Sequence, residues 1–344
     1  MREKRIHNQI DWMSFLFCVL VVGVHSKNSE LFSLTQQSGT GAAVVIWFES
    51  IVADVLGQIA VPGFFMISGY LFYRNFHFSK LFSKWKSRIF SLLIPYIVWN
   101  VLYYAVYCIL SAVPALSAVS GIEGVTWSIA GLWDAIVNYT YNPVFWYLYQ
   151  LLLLVLSAPY LYTALYHPWI GLAAIALMWG AVIAHKQIWL LNADALVYYS
   201  TAAYVALHGR KFAESLCGVS GRLAGVGCIL VSILPQILTP SFLAPVPLVV
   251  LRLGVPVGFW MILKEISLPP AAGWMKSTFF VYAIHFLIVR TMNKLGALFF
   301  SGSALGAFLL YIIDIAAVFA IAGICRYVLR RWMPFLWRIL SGGR

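Results

Sequence analysis

Charged residues are scarce in this chain. Asp, Glu, Lys and Arg make up 10% of the 344 residues, whereas 62% of the residues are hydrophobic. A soluble protein of this length carries about 25% charged residues, so a water-exposed globular fold is excluded. Apolar runs of the ~20 residues needed to cross a bilayer recur along nearly the whole sequence. The composition therefore predicts an all-α integral membrane protein, in which residues 1–344 form a single polytopic domain.

Cysteine and metal-ligand patterns are also sparse. The five cysteines are odd in number, and none lies in a predicted outer loop, which argues against a disulfide framework. No two of the seven histidines stand close together with carboxylates at ligand spacing, so we predict no metal site. No internal repeat is evident, which weakens the hypothesis of an inverted-repeat transporter.

The apolar runs predict about ten transmembrane helices. These cover residues 10–30, 44–73, 89–112, 144–165, 169–185, 194–208, 222–239, 243–263, 277–298 and 304–325. We interpret the first run as a retained helix, because no small-residue cleavage site follows it. The longest predicted outer loop, at about 113–143, could include an interfacial helix.

Basic residues predict the orientation of these helices. They concentrate in alternate connections, whereas the outer loops hold only Lys27 and Lys186, with Lys294 near an outer end. Because basic residues favour the cytoplasmic side, both termini are predicted to be cytoplasmic. The net charge of +12 comes from basic residues that mostly follow this loop pattern. We therefore do not expect nucleic acid as a partner.

One titratable residue lies deep in the first apolar run. His25 falls in the outer third of that predicted helix, and an ionisable side chain at membrane depth is a functional hypothesis by default. Counted by the same helical rise, Asp54, Arg252 and Arg290 also fall in the outer half of the membrane. The four side chains are therefore predicted to meet in one cavity.

These residue types suit acid–base chemistry. A carboxylate beside an imidazole orients the ring and raises its basicity, as a general base requires, and arginines can hold an anion or a developing oxyanion. Ion pairs that merely hold helices together are the structural alternative, and Arg252 could instead extend to the outer surface. His285, near the middle of the ninth predicted helix, could be a satisfied core histidine.

A basic segment follows the second predicted helix. Lys80, Lys84 and Arg88 are spaced four residues apart and would form one stripe on a helix. Such a stripe could bind the phosphates of a nucleotide-like donor such as coenzyme A. Plain anchoring against anionic membrane lipids is the alternative.

A proline and two glycines interrupt the second predicted helix. Pro62, Gly63 and Gly69 predict a kinked or broken helix of the kind that is tolerated where it lines a cavity. A simple packing kink is the alternative interpretation.

Five segments, in order, resemble the membrane-bound acyltransferase 3 family, which includes bacterial O-acetyltransferases that act on surface sugars. They are IDW with VVGVHS at 10–26, VPGFFMISGYL at 61–71, RIFSLLIPY at 88–96, NPVFWYL at 142–148 and FFVYAIH at 279–285. The family's functional histidine corresponds to His25. Many members carry an arginine eleven residues earlier, where this chain has Ser14. The arginine's role is then absent, taken by another residue, or not needed here.

The resemblance implies an enzyme of the bacterial inner membrane that moves an acyl group from acetyl-CoA or another acyl-CoA. The acceptor would be a hydroxyl of a cell-envelope sugar or glycolipid, and no cofactor would be permanently bound. On this hypothesis His25 is the general base or a transient acyl carrier, and Asp54 orients it or the acceptor. The other assigned residues would bind the acceptor or oxyanion (Arg252, Arg290 and His285) or the donor phosphates (Lys80, Lys84 and Arg88).

Two other function classes fit the same composition. A transporter or flippase for an envelope polysaccharide precursor would also have about ten helices with charges near the membrane centre. A sensory or scaffolding membrane protein could use the basic stretch 326–344 to bind a partner, although that stretch is equally typical of a lipid anchor.

Overall fold

The computed structural model describes residues 2–186, 190–238 and 245–343. Every regular element in these ranges is a helix, which confirms the predicted all-α class. The predicted helix ends at residues 239 and 243–244 lie outside the described residues.

The α-helices are α1 (Arg2–His25), α2 (Thr40–Ser50), α3 (Ala60–Tyr73), α4 (Leu81–Arg88), α5 (Ile94–Ala112), α6 (Pro114–Ser120), α7 (Ile129–Val137), α8 (Trp146–Leu156), α9 (Ala158–Tyr166), α10 (Pro168–Ile183), α11 (Ala193–His208), α12 (Arg210–Glu214), α13 (Val219–Leu238), α14 (Pro245–Leu263), α15 (Thr278–Phe300), α16 (Ala304–Trp332) and α17 (Pro334–Leu340). The loop predicted to hold an interfacial helix contains α6 and α7.

Six helical segments among the described residues are long and apolar enough to cross a membrane. They are Arg2–His25, Thr40–Tyr73, Phe78–Ala112, Val246–Leu263, Met275–Phe300 and Ala304–Trp332. A seventh results if α8 and α9 act as one bent span. The chain is therefore a multi-pass membrane protein.

The other predicted spans correspond to bent or shorter helices. Residues 144–165 form α8 and α9, which bend by 62° relative to each other. Pro159 has no N–H to donate, so it cannot continue α8 without a break. α11 has 16 residues, which reach about 24 Å at 1.5 Å per residue, less than the ~30 Å hydrocarbon core.

The chain divides into two compact units. The first comprises Met1–Phe17, Gln58–Ser87 and Gln150–Lys276, and the second comprises Cys18–Gly57, Arg88–Tyr149 and Ser277–Arg344. The helix α1 contributes its first part to one unit and its last part to the other.

The first unit packs its helices through small residues. A Cβ added at Gly69 of α3 would lie 2.3 Å from the backbone oxygen of Tyr199 in α11. A Cβ at Gly258 of α14 would lie 2.7 Å from the backbone oxygen of Gly225 in α13. Such close backbone approach is typical of helix pairs in membranes, where dispersion contacts replace the hydrophobic effect.

The predicted break in the second long helix lies just before its proline. A π turn at Ile51–Leu56 and a 3-10 turn at Gly57–Ile59 interrupt the helix, and the α-helix resumes at Ala60. Pro62 cannot donate a backbone hydrogen bond to the preceding turn, which explains why the irregular turns lie on its N-terminal side.

A buried carboxylate organises the polar end of the first unit. The side chain of Glu214 is 1% exposed and accepts hydrogen bonds from Arg74 Nε at 2.6 Å, Tyr70 Oη at 2.8 Å and Arg210 Nε at 3.1 Å. Arg74 also donates to both carboxylate oxygens of Glu3, at 2.7 and 2.9 Å. Burial opposes ionisation of Glu214, but the hydrogen bonds outweigh it and lower the pKa of this carboxyl to about 2.

Aromatic side chains connect the helices of the second unit. Tyr103 of α5 donates to the backbone oxygen of Ala283 in α15 at 2.9 Å. Trp99, one turn earlier, donates to the backbone oxygen of Leu340 in α17 at 3.0 Å. Each ring buries a large apolar surface while its polar atom donates a hydrogen bond. These contacts fix α5 against α15 and α17.

We expect Gly69→Ala to destabilise the protein by about 1–3 kcal/mol. The new methyl group would clash with the backbone of Tyr199 and force α3 and α11 apart. The measurement is unfolding of the purified protein in detergent. Gly180→Ala is the control, because an added Cβ there meets nothing within 4 Å. Equal stability of the two variants would contradict the packing role of Gly69.

We expect Glu214→Gln to flatten the dependence of stability on pH. The pKa of Glu214 is about 2 in the folded protein and 4.5 ordinarily, so the ionised form stabilises the fold above about pH 4.5. This contribution is lost as the pH falls from about 4.5 towards 2. The measurement is the unfolding temperature across this window, with the exposed Glu30→Gln as control. Parallel curves for wild type and Glu214→Gln would contradict the assignment.

Candidate functional site

His25 is the last residue of α1 and is half-buried. The helix ends there, five residues before its predicted end, and residues 26–39 form turns. The hydroxyl of Ser26 donates to the backbone oxygen of Val22 at 2.9 Å, so a carbonyl near the helix end is satisfied. His25 therefore stands at the C-terminal end of α1, in the part of this helix that belongs to the second unit.

The ring of His25 contacts a second imidazole. The ring centroids of His25 and His285 lie 5.1 Å apart, with an angle of 51° between the planes. The ring of Phe286 meets His25 edge to face at 5.6 Å. We call His25 and His285 the histidine pair.

The hydrogen bonding of His285 defines its tautomer. Its Nδ1 lies 2.7 Å from the backbone oxygen of Tyr282. A carbonyl only accepts, so Nδ1 carries the hydrogen and Nε2 is an acceptor. His285 is 0% exposed, and its Nε2 has no hydrogen-bond partner among the described residues. The interpretation of His285 as a satisfied core histidine thus holds for its Nδ1. Its Nε2 remains available to accept a hydrogen bond.

Tyr282 is itself fixed by stacked rings. Its ring lies parallel to that of Phe145, with centroids 5.5 Å apart, and Phe145 stacks on Tyr96 at 5.9 Å. The hydroxyl of Tyr282 donates to the backbone oxygen of Val144. Three segments of the family resemblance therefore pack together in the second unit and hold His285 in place.

The chain that leaves His25 is held by a buried carboxylate. Glu49 of α2 is 0% exposed, and its two oxygens each accept from a backbone N–H, of Asn28 and of Ser29, both at 3.1 Å. The side chain of Asn28 donates to that of Asn293 in α15 at 3.1 Å. These bonds connect the turn after His25 to α2 and to the helix that carries His285.

Sequence reasoning missed Glu49 and Asn293. The only signal for Glu49 in the sequence is a second carboxylate, besides Asp54, within the largely apolar run 44–73. A buried carboxylate that accepts two backbone hydrogen bonds has a structural task, which is to fix the position of the residues before it.

Asp54 lies in the π turn and pairs with Lys27, whose Nζ is 3.4 Å from its Oδ2. The two side chains are 54% and 31% exposed. Among the described residues, Asp54 does not hydrogen-bond to His25. The predicted orienting effect of Asp54 on His25 or on the acceptor stays a prediction.

The two arginines predicted to join the site have partners within separate units. Arg290 of the second unit donates to the hydroxyl of Tyr107 at 2.9 Å. Arg252 of the first unit donates to Asp194 at 3.2 Å and to Gln58 at 2.6 Å. Their predicted convergence with His25 stays a prediction.

The predicted basic stripe is only partly helical. Lys84 and Arg88 lie one turn apart on α4, whereas Lys80 ends a 3-10 turn that precedes it. The ammonium group of Lys84 donates to the backbone oxygen of Phe72 and lies over the rings of Phe72 and Phe76, at 5.0 and 5.8 Å. Of the three predicted cations, Lys80 is exposed, whereas Lys84 and Arg88 are half-buried.

Metal ligands are not gathered at this site. In the part of the chain that the structure describes, no group of three or more His, Cys, Asp or Glu side chains could hold a metal ion.

We expect Glu49→Gln to lower the free energy of unfolding by about 1–3 kcal/mol. The amide has only one accepting oxygen, so its NH₂ group would face a backbone N–H and leave that N–H without an acceptor. Chemical unfolding in detergent measures the change. The matched control is Glu30→Gln in the connection between α1 and α2, where the side chain is exposed and the expected change is within about 0.5 kcal/mol. Equal effects of the two substitutions would contradict the role of Glu49.

Comparison with known proteins identifies the family. A family model described as an acyltransferase domain matches residues 7–327, nearly the whole chain, and includes both members of the histidine pair. No curated protein and no solved structure gave a significant match. The chain belongs to the acyltransferase 3 family of membrane acyltransferases.

Proposed function

We propose that this protein is an O-acyltransferase of the bacterial inner membrane. It moves an acyl group, with acetyl the first to test, from acyl-CoA to a hydroxyl of a cell-envelope sugar or glycolipid. The observation that carries the proposal is the histidine pair, in which the half-buried His25 contacts the fully buried His285. A partly accessible imidazole beside a fixed acceptor nitrogen suits proton transfer.

In the proposed reaction the acceptor hydroxyl attacks the thioester carbonyl carbon of the donor. His25 takes the hydroxyl proton as the C–O bond forms. The C–S bond then breaks, and the coenzyme A thiolate leaves and takes up the proton. The products are an ester and free coenzyme A.

A two-step route is the alternative within the same function. A ring nitrogen of His25 would first attack the thioester carbonyl, and the C–S bond would break with loss of the coenzyme A thiolate. The acceptor hydroxyl would then attack the acyl-imidazole, so that the C–O bond forms, the N–C bond breaks and the hydroxyl proton passes to the thiolate. In either route the acceptor Nε2 of His285 can receive a hydrogen bond from His25 or from the acceptor hydroxyl, which would fix the geometry of the attack.

The arginines are proposed to bind negative charge. Arg290 lies on the same helix as His285 and is half-buried, which suits an acceptor group or a developing oxyanion. The same role is proposed for Arg252, whose Nε has no hydrogen-bond partner among the described residues. Asp54 with Lys27 would orient the acceptor rather than His25 directly.

Donor phosphates are proposed to bind at the basic segment, with Arg88 and Lys80 as the principal contacts and Lys84 beside them. We propose about ten membrane-crossing helices with both termini cytoplasmic. In that topology the donor residues and His25 lie on opposite faces of the membrane. The pantetheine arm or the acyl group must then reach through the protein.

We expect His25→Ala to lower the rate of coenzyme A release about 100-fold or more, because general acid–base catalysis contributes about 10²–10⁴-fold. The measurement uses purified protein in lipid, with acetyl-CoA as donor and an envelope lipid extract as acceptor. His167→Ala is the control, because His167 is exposed at the start of α10. Donor binding is measured for all three proteins.

Retained activity in a folded His25→Ala variant would contradict the role of His25. A wild-type protein that neither binds nor consumes acyl-CoA, with envelope lipids present, would contradict acyl transfer and favour transport of an envelope precursor. Labelled acetyl-CoA without acceptor separates the two routes, since only the acyl-carrier route leaves label on the protein.

A further inference from the structure

The first unit contains a partly open cavity that the proposed reaction does not use. Its volume is about 240 Å³, and its walls come from α1, α3, α11, α12 and α14. Apolar side chains such as Met66, Val205 and Trp260 form almost all of its surface. The volume is just below the ~300–1,000 Å³ of small-molecule sites, and an apolar cavity favours an apolar occupant. These properties suit a single hydrocarbon chain.

Local sequence shapes the walls of this cavity. Gly63 lets α3 pack closely against α1, since a Cβ there would lie 2.3 Å from the ring of Phe17, and Pro256 interrupts the hydrogen bonding within α14 beside the cavity. The indole N–H of Trp260 donates to the backbone oxygen of Ala213 at 2.9 Å, so the ring is held in place at the cavity surface.

One end of the cavity is polar. Tyr70 lines the cavity, and its hydroxyl donates to Glu214, which lines a neighbouring pocket together with Arg2 and Arg5. The ammonium group of Lys264, which is 4% exposed, also reaches this end of the unit and donates to the backbone oxygen of Phe212 at 3.4 Å.

Positive charge exceeds negative charge at this polar end. The cations that contact Glu214 or Glu3 are Arg2, Arg5, Arg74 and Arg210. Three of these guanidinium groups pair with the two carboxylates, whereas Arg5 donates to the backbone oxygen of Glu214 at 3.2 Å, so four positive charges stand against two negative ones. The Nε of Arg5 is buried and has no hydrogen-bond partner among the described residues. A guanidinium with a free donor beside a charge excess is suited to bind a phosphate.

We propose that this cavity binds one acyl chain of an amphiphile whose phosphate head group lies at Arg2 and Arg5. The chain would occupy the space between α3 and α14, and Tyr70 would mark the boundary between chain and head group. Arg2 and Arg5 lie on the side that the sequence predicts to be cytoplasmic, where anionic head groups are concentrated. The proposal concerns binding and does not depend on acyl transfer by His25.

Two sources supply this chemistry, an anionic membrane phospholipid and a long-chain acyl-CoA. The experiment reads quenching of Trp260 fluorescence by bromine on the acyl chain, taken as the difference between wild type and Trp260→Phe. One arm uses vesicles of phosphatidylcholine that contain a minor fraction of brominated phosphatidylglycerol. The second uses brominated palmitoyl-CoA added to phosphatidylcholine vesicles, and a reference arm uses brominated phosphatidylcholine alone.

We expect saturable quenching by the anionic amphiphile and little by brominated phosphatidylcholine. Arg5→Gln should weaken the apparent affinity about tenfold, the loss expected for one charge-assisted hydrogen bond. The control Arg222→Gln, at an exposed position away from the pocket, should not. The arm that quenches at the lower concentration identifies the source.

Val205→Phe should abolish the Trp260 signal by filling the cavity. Val231→Phe is the matched control, because Val231 is exposed on α13 and does not line the cavity. Ala202→Val, a smaller change in the same wall, should weaken binding if Val205→Phe fails to fold. Equal quenching by anionic and zwitterionic lipid, unchanged in the folded cavity-filling variants, would overturn the proposal.

Discussion

An apolar surrounding requires each backbone polar group to find its partner within the chain. Helices meet this requirement internally, which is why every regular element described here is a helix. Some backbone groups near or beyond helix ends are satisfied by side chains instead. Glu49 accepts from the N–H groups of Asn28 and Ser29, and Lys84 donates to the carbonyl of Phe72. The charges of Glu49 and Lys84, in largely apolar surroundings, are therefore used to satisfy backbone groups.

The histidine pair depends on the same constraint. His25 occupies a helix end, and the turn that follows it is fixed to α2 and α15 by Glu49 and Asn28. His285 is held by a carbonyl of its own helix, which assigns its hydrogen to Nδ1 and leaves Nε2 as an acceptor. The ring of His285 is thus oriented by a backbone carbonyl, and the ring of His25 contacts His285 and Phe286. The acyltransferase family match places this pair within an acyltransferase domain.

The length of the hydrophobic runs predicted where helices form better than it predicted which helices are long enough to cross the membrane. It located each long helix because apolarity is read within a window of neighbouring residues. It could not detect the 62° bend between α8 and α9. For the site, an ionisable residue in an apolar run was enough to select His25 and His285. Their contact, and the pairing of Asp54 with Lys27, join residues on different helices that no local window compares.

The sequence by itself determined the all-α class, the membrane environment, the family and the selection of His25, because each depends on composition or on motifs within short segments. Only the tertiary structure decided which charges are neutralised and which nitrogen of His285 stays free. It also decided that four arginines gather around two carboxylates beside an apolar cavity. These features depend on distances between remote segments, and such distances are set by how the helices pack rather than by the residues adjacent in the chain.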